Sequence, residues 1–313
     1  MNKLKKNTFT EEFKYDIVEK IKPLERKTIE DEWLKISNMY NNNIEFKNNA
    51  RIGLKIIDYF TFKERLETIG KYNINFYDFV YNIEEFEKKK FIQNMLIFKR
   101  KKYENSSKYS NEINIYKEVY NITIGAINAF RPTIIIDYIK KYKATKVLDF
   151  CCGWGGRLIG SCVANIDSYT GIDINSNLKK PYDELKSFLK NKTKTEIQLI
   201  IKNALEIDYS LISYDMVFTS PPYYFLEKYS NCIDYKNKTD MENNFYKPLF
   251  EMTYKNLQKG GTYCLNINEE IYNNVCISVL GECHDKIELN KRKKNSYKEY
   301  IYIWKKLTEE VGH

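Results

Sequence analysis

The hydrophobic pattern divides the chain into two parts. Over the first ~130 residues, apolar side chains recur at helical spacing with polar residues between them. The set from Ile52 to Ile69 predicts one helix or two adjoining helices, and the set from Phe76 to Phe86 predicts another. Beyond residue 133, short apolar runs alternate with helical segments. We therefore expect a mostly helical, basic amino-terminal region at 1–125, followed by a second domain at 126–313.

The second part has the pattern of a parallel α/β sheet. Short apolar runs predict buried strands, and amphipathic segments predict helices between them. The last two runs, HDKIEL and EYIYIW, flank a basic turn and predict an antiparallel hairpin at the sheet edge. We therefore expect a Rossmann-like α/β sheet of seven strands, mainly parallel, with an antiparallel carboxyl-terminal hairpin. The other five strands are predicted at 146–150, 169–174, 196–201, 214–219 and 261–267, with helices at TIIIDYIKKY, GRLIGSCVA, roughly 180–190, PLFEMTYKNLQ and EEIYNNVCISVL.

Composition and charge narrow the class of protein. Hydrophobic residues make up 43% and charged residues 30%, which favours a folded chain with a sizeable core over a disordered one. The sequence has no run of ~18 apolar residues and no apolar segment after its first lysines, so we expect a cytoplasmic protein without a membrane span. Lys and Arg total 51 against 42 Asp and Glu, giving +9. This balance favours a polyanionic partner such as nucleic acid, with AT-rich codon usage as the alternative source of the lysines.

Metal and thiol chemistry are not indicated. The seven cysteines form no C-x-x-C pair, and the only histidines are His284 and His313. A structural zinc site needs closely spaced ligands of these types, so we expect no metal. Cysteines in a chain without an export signal are expected to be reduced and mostly buried.

A glycine-rich turn follows the first predicted strand, in VLDFCCGWGGRLIG at 147–160. The strand ends at Asp149, and Gly153 and Gly155 allow the backbone to approach a ligand closely. Leu158 stands at the third glycine of the dinucleotide pattern G-x-G-x-x-G. Asp173 ends the next strand, where an acid can accept hydrogen bonds from both ribose hydroxyls. Together, the glycine turn and Asp173 predict a nucleotide or nucleoside site. The alternative is a strand, turn and helix with a purely structural role.

A second motif, TSPPYY at 219–224, ends the fourth predicted strand. Consecutive prolines cannot continue a sheet ladder and fix a rigid turn. Ligands of α/β proteins bind outside the carboxyl ends of the central strands. The motif is therefore predicted to border the same cleft as the glycine turn.

These residues carry a resemblance to a known family. Ser220, Pro221, Pro222 and Tyr223 match the signature [Asp/Asn/Ser]-Pro-Pro-[Tyr/Phe/Trp] of DNA amino-methyltransferases that use S-adenosylmethionine, and the Ser form is most typical of the cytosine-N4 enzymes. With DFCCGWGGR, the stretch FTSPPYYFLEKYS resembles orphan DNA methylases of bacteriophages and large viruses. The resemblance spans about 130–305 and implies a class I methyltransferase fold, S-adenosylmethionine as cofactor and DNA as partner, with the target base flipped or single-stranded.

The resemblance also implies individual cofactor contacts. INAFRPTIIIDYI is similar to the segment that packs on the methionine end of the cofactor, which makes Phe130 and Thr133 candidates. KNALEID is similar to the segment that contacts the adenine, with Asn203 where the family usually has Asp. Cys151 stands where an aromatic residue often covers the cofactor. The full set implied for the cofactor is Phe130, Thr133, Asp149, Cys151, Gly153, Gly155, Asp173, Ile174, Asn203 and Ala204.

The second motif predicts how an exocyclic amine would be activated. The Ser220 hydroxyl and the Pro221 carbonyl can accept its two N–H protons, and Tyr223 can stack on the base. No basic residue is required, in keeping with two histidines. A covalent cytosine-C5 mechanism would need a Pro-Cys nucleophile, and the sequence has no Pro-Cys pair.

Two basic clusters are candidate phosphate contacts. One occupies 88–102, which contains no acid, and the other is the predicted hairpin turn at 290–298. A solvated face is the alternative interpretation of each. Two other functions stay open, an RNA methyltransferase and an inactive methyltransferase fold that binds nucleic acid. The predicted DNA contacts are Lys99, Arg100, Lys101, Lys102, Arg292, Lys293 and Lys294.

Overall fold

A seven-stranded sheet forms the centre of the molecule. The computed structural model describes residues 8–47, 50–125, 128–226, 228–229, 231–289 and 299–307, so the predicted contacts Arg292, Lys293 and Lys294 lie outside the described residues. The sheet has the order β3-β2-β1-β4-β5-β7-β6. Its strands are β1 (Lys146–Asp149), β2 (Ser168–Asp173), β3 (Glu196–Ile201), β4 (Met216–Thr219), β5 (Thr262–Ile267), β6 (Asp285–Glu288) and β7 (Tyr300–Lys305).

The pairing of the strands confirms the predicted fold. β1 pairs in parallel with β2 on one side and with β4 on the other. β7 lies antiparallel between β5 and β6, as the predicted hairpin requires. This is the strand order of a Rossmann-like class I methyltransferase fold. Since the chain builds outward from β1 in one direction and from β4 in the other, the switch point of the sheet falls between these two strands, where such sheets bind ligands.

Helices cover both faces of the sheet. Adjacent strand residues point to opposite faces, so Val147 and Leu148 of β1 enter separate hydrophobic cores. The first helix of this part begins at Arg131, its N-cap, with Pro132 at the first helical position, where a missing N–H costs nothing. The helices are α8 (Pro132–Tyr142), α9 (Gly156–Val163), α10 (Lys179–Leu189), α11 (Lys238–Met241), α12 (Lys247–Asn256), α13 (Glu269–Ile271) and α14 (Ile277–Leu280). π-Helical turns, Glu242–Tyr246 and Tyr272–Cys276, join α11 to α12 and α13 to α14.

The amino-terminal part is helical, as predicted. Most of the set from Ile52 to Ile69 falls in one helix, Leu54–Arg65, with both end residues outside it. The set from Phe76 to Phe86 is interrupted at Asn82, which leaves helical geometry. Asn75 and Asp78 form a capping box at the start of the first piece. The helices are α1 (Glu11–Ile21), α2 (Arg26–Asn41), α3 (Leu54–Arg65), α4 (Phe76–Tyr81), α5 (Ile83–Glu87), α6 (Lys90–Lys102) and α7 (Glu112–Thr123).

These helices pack in two groups. α2 and α3 contribute Trp33 and Phe60 to the core on one face of the sheet, where both rings contact Phe188 of α10. A third core, around Tyr77 and Tyr120, is built by the remaining helices of this part together with the carboxyl end of α3. The domain boundary at 125/126 stays a prediction. No helix among the described residues is long and apolar enough to cross a membrane.

Candidate active site

One cavity lies at the carboxyl ends of the parallel strands β1, β2, β3 and β4. Its volume is about 670 Å³, within the range of small-molecule sites. Each of these strands contributes a residue just beyond its end: Cys151 after β1, Asp173 from β2, Asn203 after β3 and Ser220 after β4. The glycine turn and the Ser-Pro-Pro-Tyr turn, both recognised in the sequence, therefore face each other across the switch point of the sheet.

The glycine turn is bound to the Asp173 carboxylate. Gly153, with φ +53°, donates its N–H to Asp173 Oδ2 at 2.8 Å, and the Asn175 N–H donates to Oδ1 at 2.9 Å. The Gly153 carbonyl accepts a hydrogen bond from the Tyr182 hydroxyl at 2.5 Å. Burial raises the pKa of Asp173, and the two N–H donors oppose that shift. Each carboxylate oxygen keeps acceptor capacity for a further donor, such as a ligand hydroxyl.

A buried ion pair supports the turn from behind. Asp149 is fully buried and accepts hydrogen bonds from Arg157 Nε at 2.6 Å and from the Tyr169 hydroxyl at 2.7 Å. Arg157 also donates from Nη2 to the Cys151 carbonyl at 2.5 Å, and its guanidinium lies 5.0 Å from the Phe130 ring centroid. Burial alone would lower the pKa of Arg157, but the Asp149 carboxylate more than offsets it and the net shift is upward. Arg157 itself lines the cavity, whereas Asp149 affects the cavity only through the position of the Arg157 guanidinium.

The predicted cofactor residues fall into two groups. Thr133 is buried on α8, Asp149 is in the ion pair, and Gly155 holds the turn in a left-handed conformation with φ +84°. None of the three lines the cavity, although they support its wall. Asn203 does line it, and its side-chain oxygen also accepts from the Leu205 N–H at 3.1 Å. The predicted residues that line the cavity are Phe130, Cys151, Gly153, Asp173, Ile174, Asn203 and Ala204.

All four predicted catalytic residues line the same cavity, and Asn266 of β5 orients the first of them. Asn266 Nδ2 donates to the Tyr300 carbonyl at 3.1 Å, which fixes the orientation of the amide. The Ser220 hydroxyl then donates to Asn266 Oδ1 at 3.3 Å. With its proton used in this way, Ser220 Oγ keeps its lone pairs as acceptors.

Tyr246 pins the proline turn. Its hydroxyl donates to the Pro222 carbonyl at 2.5 Å and accepts from the Tyr224 N–H at 3.0 Å, so it bridges both sides of the turn. Tyr224 has φ +51°, a left-handed conformation that is uncommon outside glycine, and this bridge helps to hold it. Burial raises the pKa of Tyr246, which keeps the hydroxyl protonated and able to donate. Tyr246 itself ends a π-helical turn, a feature often found at functional sites.

Two neighbouring oxygen atoms hold the hydroxyl end of Tyr223. Its hydroxyl lies 2.6 Å from Glu299 Oε1 and 3.0 Å from the Asn266 carbonyl. Since a phenol has one proton, Tyr223 donates to the nearer carboxylate, and its ring remains part of the cavity wall.

Sequence reasoning missed Asn266, Tyr246, Glu299 and Arg157. Asn266 carried a usable signal, because it is a polar residue near the carboxyl end of a predicted buried strand. Tyr246 and Glu299 carried none, because they reach the motif only through the fold.

The segment after the Ser-Pro-Pro-Tyr turn, 225–235, covers part of the cavity. Lys228 exchanges two backbone hydrogen bonds with Ile69, at 3.0 and 3.1 Å, in an isolated antiparallel bridge. The Tyr229 ring meets Trp154 of the glycine turn edge-on, with centroids 5.9 Å apart. We call this segment the rim loop; Glu227 and Ser230 are outside its described residues.

The basic cluster on α6 is surrounded by acids from neighbouring helices. Lys99 is buried and pairs with Glu118 at 3.1 Å. Arg100 pairs with Glu87 at 3.1 Å and with Glu112 at 3.0 Å. Lys101 and Lys102 are the exposed members. The segment 88–102 therefore contains no acid in the sequence, but acids of neighbouring elements lie beside it in the fold.

The part of the chain that the structure describes contains no group of three or more His, Cys, Asp or Glu side chains placed to hold a metal ion. All seven cysteines have free thiols.

Similarity to known proteins is found among solved structures. No family model and no curated protein matches the sequence. Among solved structures, an rRNA methylase from Streptococcus thermophilus is similar at 11% identity and a TM-score of 0.41, covering 58% of this chain and 100% of that chain. TrmN from Thermus thermophilus is similar at 12% identity and 0.42, covering 56% and 49%. Trm5 from Methanocaldococcus jannaschii, solved with adenosine, is similar at 15% and 0.39, covering 58% and 50%.

Proposed function

We propose that the protein is an S-adenosylmethionine-dependent methyltransferase that acts on the exocyclic amine of a base in DNA, with cytosine N4 as the first target and adenine N6 as the second. One observation carries the proposal. The glycine turn with its bound acid and the Ser-Pro-Pro-Tyr turn line a single cavity of about 670 Å³. The first turn is suited to a nucleoside and the second to an amine. Their presence in one cavity supports a reaction between a nucleoside cofactor and an amine.

The cofactor side of the cavity fits S-adenosylmethionine. Asp173 would accept hydrogen bonds from the ribose hydroxyls, since both carboxylate oxygens keep acceptor capacity. Asn203 and Ala204 would border the adenine, and Phe130 and Cys151 would lie toward the methionine end. Gly153 leaves room beside its Cα, because a Cβ there would meet no atom closer than 3.9 Å within the protein. When bound, the cofactor supplies an electrophilic methyl group.

The substrate side fits a neutral amine. Ser220 Oγ, with its own proton given to Asn266, would accept one N–H of the base, and the Pro221 carbonyl would accept the other. Two acceptors on the N–H bonds draw the nitrogen lone pair out of conjugation with the ring. Tyr223 would stack on the base and favour the positive charge that develops on nitrogen. The extra proton on nitrogen is then lost to water.

A covalent thiolate mechanism has no support at this site. Cys151 lines the cavity, but burial raises the pKa of its thiol well above the ordinary value, and the Asp173 and Asp149 carboxylates raise it further. The thiol therefore stays protonated at neutral pH, whereas the nucleophilic cysteine of a cytosine-C5 mechanism must ionise to a thiolate.

The substrate assignment is tested by incubating the protein with labelled S-adenosylmethionine and panels of DNA and RNA, followed by nucleoside mass spectrometry. We expect N4-methylcytosine in DNA. N6-methyladenine in DNA would keep the mechanism and overturn the base assignment. Label found only in RNA would establish an RNA methyltransferase instead, and cofactor binding without transfer would indicate an inactive fold.

We also propose that the helical region at 1–125 contributes to substrate recognition, and the structure sharpens its test. Lys101 and Lys102 are exposed, whereas Lys99 and Arg100 are already paired with acids. If α6 contacts phosphates, Lys101→Ala/Lys102→Ala should flatten the salt dependence of binding to duplex DNA by up to ~2 log units per log unit of salt, at ~0.9 for each phosphate. Lys255→Ala/Lys259→Ala is the control: both lysines are exposed, one in the last turn of α12 and one in the turn that follows it. Unchanged affinity at every salt concentration would show that α6 is a solvated face.

A further inference from the structure

Three large apolar side chains of the rim loop are exposed at the cavity mouth. Phe225 is 55% exposed, Leu226 63% and Ile233 44%, and all three line the cavity. Phe225 and Leu226 directly follow the catalytic motif. Exposed apolar groups gathered at one cavity mouth mark a binding surface.

The two leading residues are mounted on a fixed support. The preceding residue, Tyr224, is buried, and its backbone and hydroxyl are held by Tyr246 and Glu242. Two residues further on, the Ile69–Lys228 bridge ties the loop to the amino-terminal part of the chain. Phe225 and Leu226 are therefore presented from two anchored flanks, which lowers the entropy that a ligand must overcome.

The charge around the mouth differs from one side to the other. The rim loop has one lysine, Lys228, and Asp234 lies 2.5 Å from its ammonium. Arg131 lines the cavity near Glu299. Arg51 is exposed and lies close enough to Arg131 to lower its pKa, in addition to the lowering that burial causes. Arg51 and Arg131 make one side of the mouth basic, with Glu299 beside Arg131, whereas the loop side is apolar and its lysine is paired with Asp234.

This surface fits one nucleic-acid strand. From it, and resting on the proposed function, we infer that the cavity rim binds an unpaired stretch of the substrate strand. Phe225 stacks on a base beside the target, Leu226 packs against the apolar face of the strand, and Arg131 and Arg51 contact its phosphates. A row of bases on one side and a row of phosphates on the other is the arrangement of single-strand sites.

The test measures binding of the full chain to labelled oligonucleotides by fluorescence anisotropy. The probes are a DNA single strand, the duplex of the same sequence and the matching RNA strand. We expect the DNA single strand to bind more tightly than the duplex. Phe225→Ala/Leu226→Ala should weaken single-strand binding on the order of 10-fold or more, as loss of base stacking does. Arg51→Gln should reduce the salt slope by ~0.7 log unit per log unit for one strand phosphate.

The control pair is Leu34→Ala/Tyr81→Ala. Leu34 is 58% exposed and Tyr81 63%, which matches the rim pair, and neither lines the cavity. This control should keep wild-type affinity. Calorimetry with S-adenosylhomocysteine checks that every variant is folded.

Three outcomes would separate the inference from the function on which it rests. Equal affinity for duplex and single strand, or full affinity in the Phe225→Ala/Leu226→Ala variant, overturns the inference while methyl transfer by the wild type still supports the function. Absence of transfer to any probe, DNA or RNA, overturns the function itself. Tighter binding of the RNA strand, lost in the rim variant, supports the rim as a strand site and contradicts DNA as the substrate.

Discussion

The two turns that face each other across the cavity are held in different ways. The glycine turn depends on charge: the buried Asp149–Arg157 pair lies behind it, and the Asp173 carboxylate accepts the Gly153 N–H. The Ser-Pro-Pro-Tyr turn depends mainly on hydrogen bonds of the neutral side chains Tyr246 and Asn266, and one carboxylate, Glu299, accepts from the Tyr223 hydroxyl at its edge. Removing one member of a buried ion pair exposes the fold to an uncompensated charge, whereas removing a hydroxyl costs less. The cofactor side should therefore be sensitive in stability, and the substrate side in rate.

The largest expected effect is on the charged side. Arg157→Met leaves Asp149 buried without its cation, which should lower the free energy of unfolding by about 3–5 kcal/mol. Denaturant unfolding measures this loss. Asp149→Asn/Arg157→Met removes both charges and should recover much of it. If the single and double variants are equally unstable, the pair contributes packing and not charge compensation, and the comparison between the turns fails.

Next is the rate effect on the neutral side. Ser220→Ala removes an acceptor that acts on the developing charge, and turnover should fall on the order of 10²-fold. Cofactor affinity and stability should stay at wild-type values, because Ser220 contacts neither the glycine turn nor a buried charge. Ser220→Asp should be tolerated best, since a carboxylate oxygen restores the acceptor. A parallel loss of cofactor binding in Ser220→Ala would show that the motif is structural.

The third effect sharpens the comparison through pH. Burial raises the pKa of Asp173, and ribose hydroxyls bind the ionised form, so cofactor affinity should fall as pH decreases, starting above the ordinary pKa of an aspartate. Asp173→Ala should weaken binding by about 2–3 kcal/mol at neutral pH, the value of a charge-assisted hydrogen bond. Calorimetry over a pH series should find that this variant has lost the pH dependence. Unchanged affinity would contradict the ribose assignment.

The smallest effect tests the hydroxyl that pins the proline turn. Tyr246→Phe leaves the Pro222 carbonyl and the Tyr224 N–H without their bridge and should cost about 1 kcal/mol in stability. Turnover should fall several-fold as well, because the turn loses its fixed shape. Tyr214→Phe is the matched control, since that buried hydroxyl donates to the Thr253 carbonyl at 2.7 Å away from the cavity. Both variants should lose stability, and only Tyr246→Phe should lose rate.

The site residues at the strand ends could be predicted from the sequence, but the side chains that contact them from other elements could not. Asp173 and Ser220 follow apolar runs, and parallel strands bring their carboxyl ends to one edge, so their meeting was predictable. Tyr246 lies 22 residues beyond Tyr224 in the chain, and only the packing of its helix brings the two together. The charged surroundings of α6 could not be predicted for the same reason. Lys99 and Arg100 stand in an acid-free run, yet Glu118, Glu87 and Glu112 come from neighbouring helices to pair with them.

The Ile69–Lys228 bridge links the rim loop to the amino-terminal helices through two backbone hydrogen bonds. It follows that amide hydrogen exchange at Ile69 and Lys228 should report the same opening event, even though 159 positions separate them in the chain. Local unfolding of the amino-terminal region would release one edge of the active-site cover at the same moment. A chain cut between the two regions would therefore lose cover over the Ser-Pro-Pro-Tyr turn as well as its amino-terminal helices.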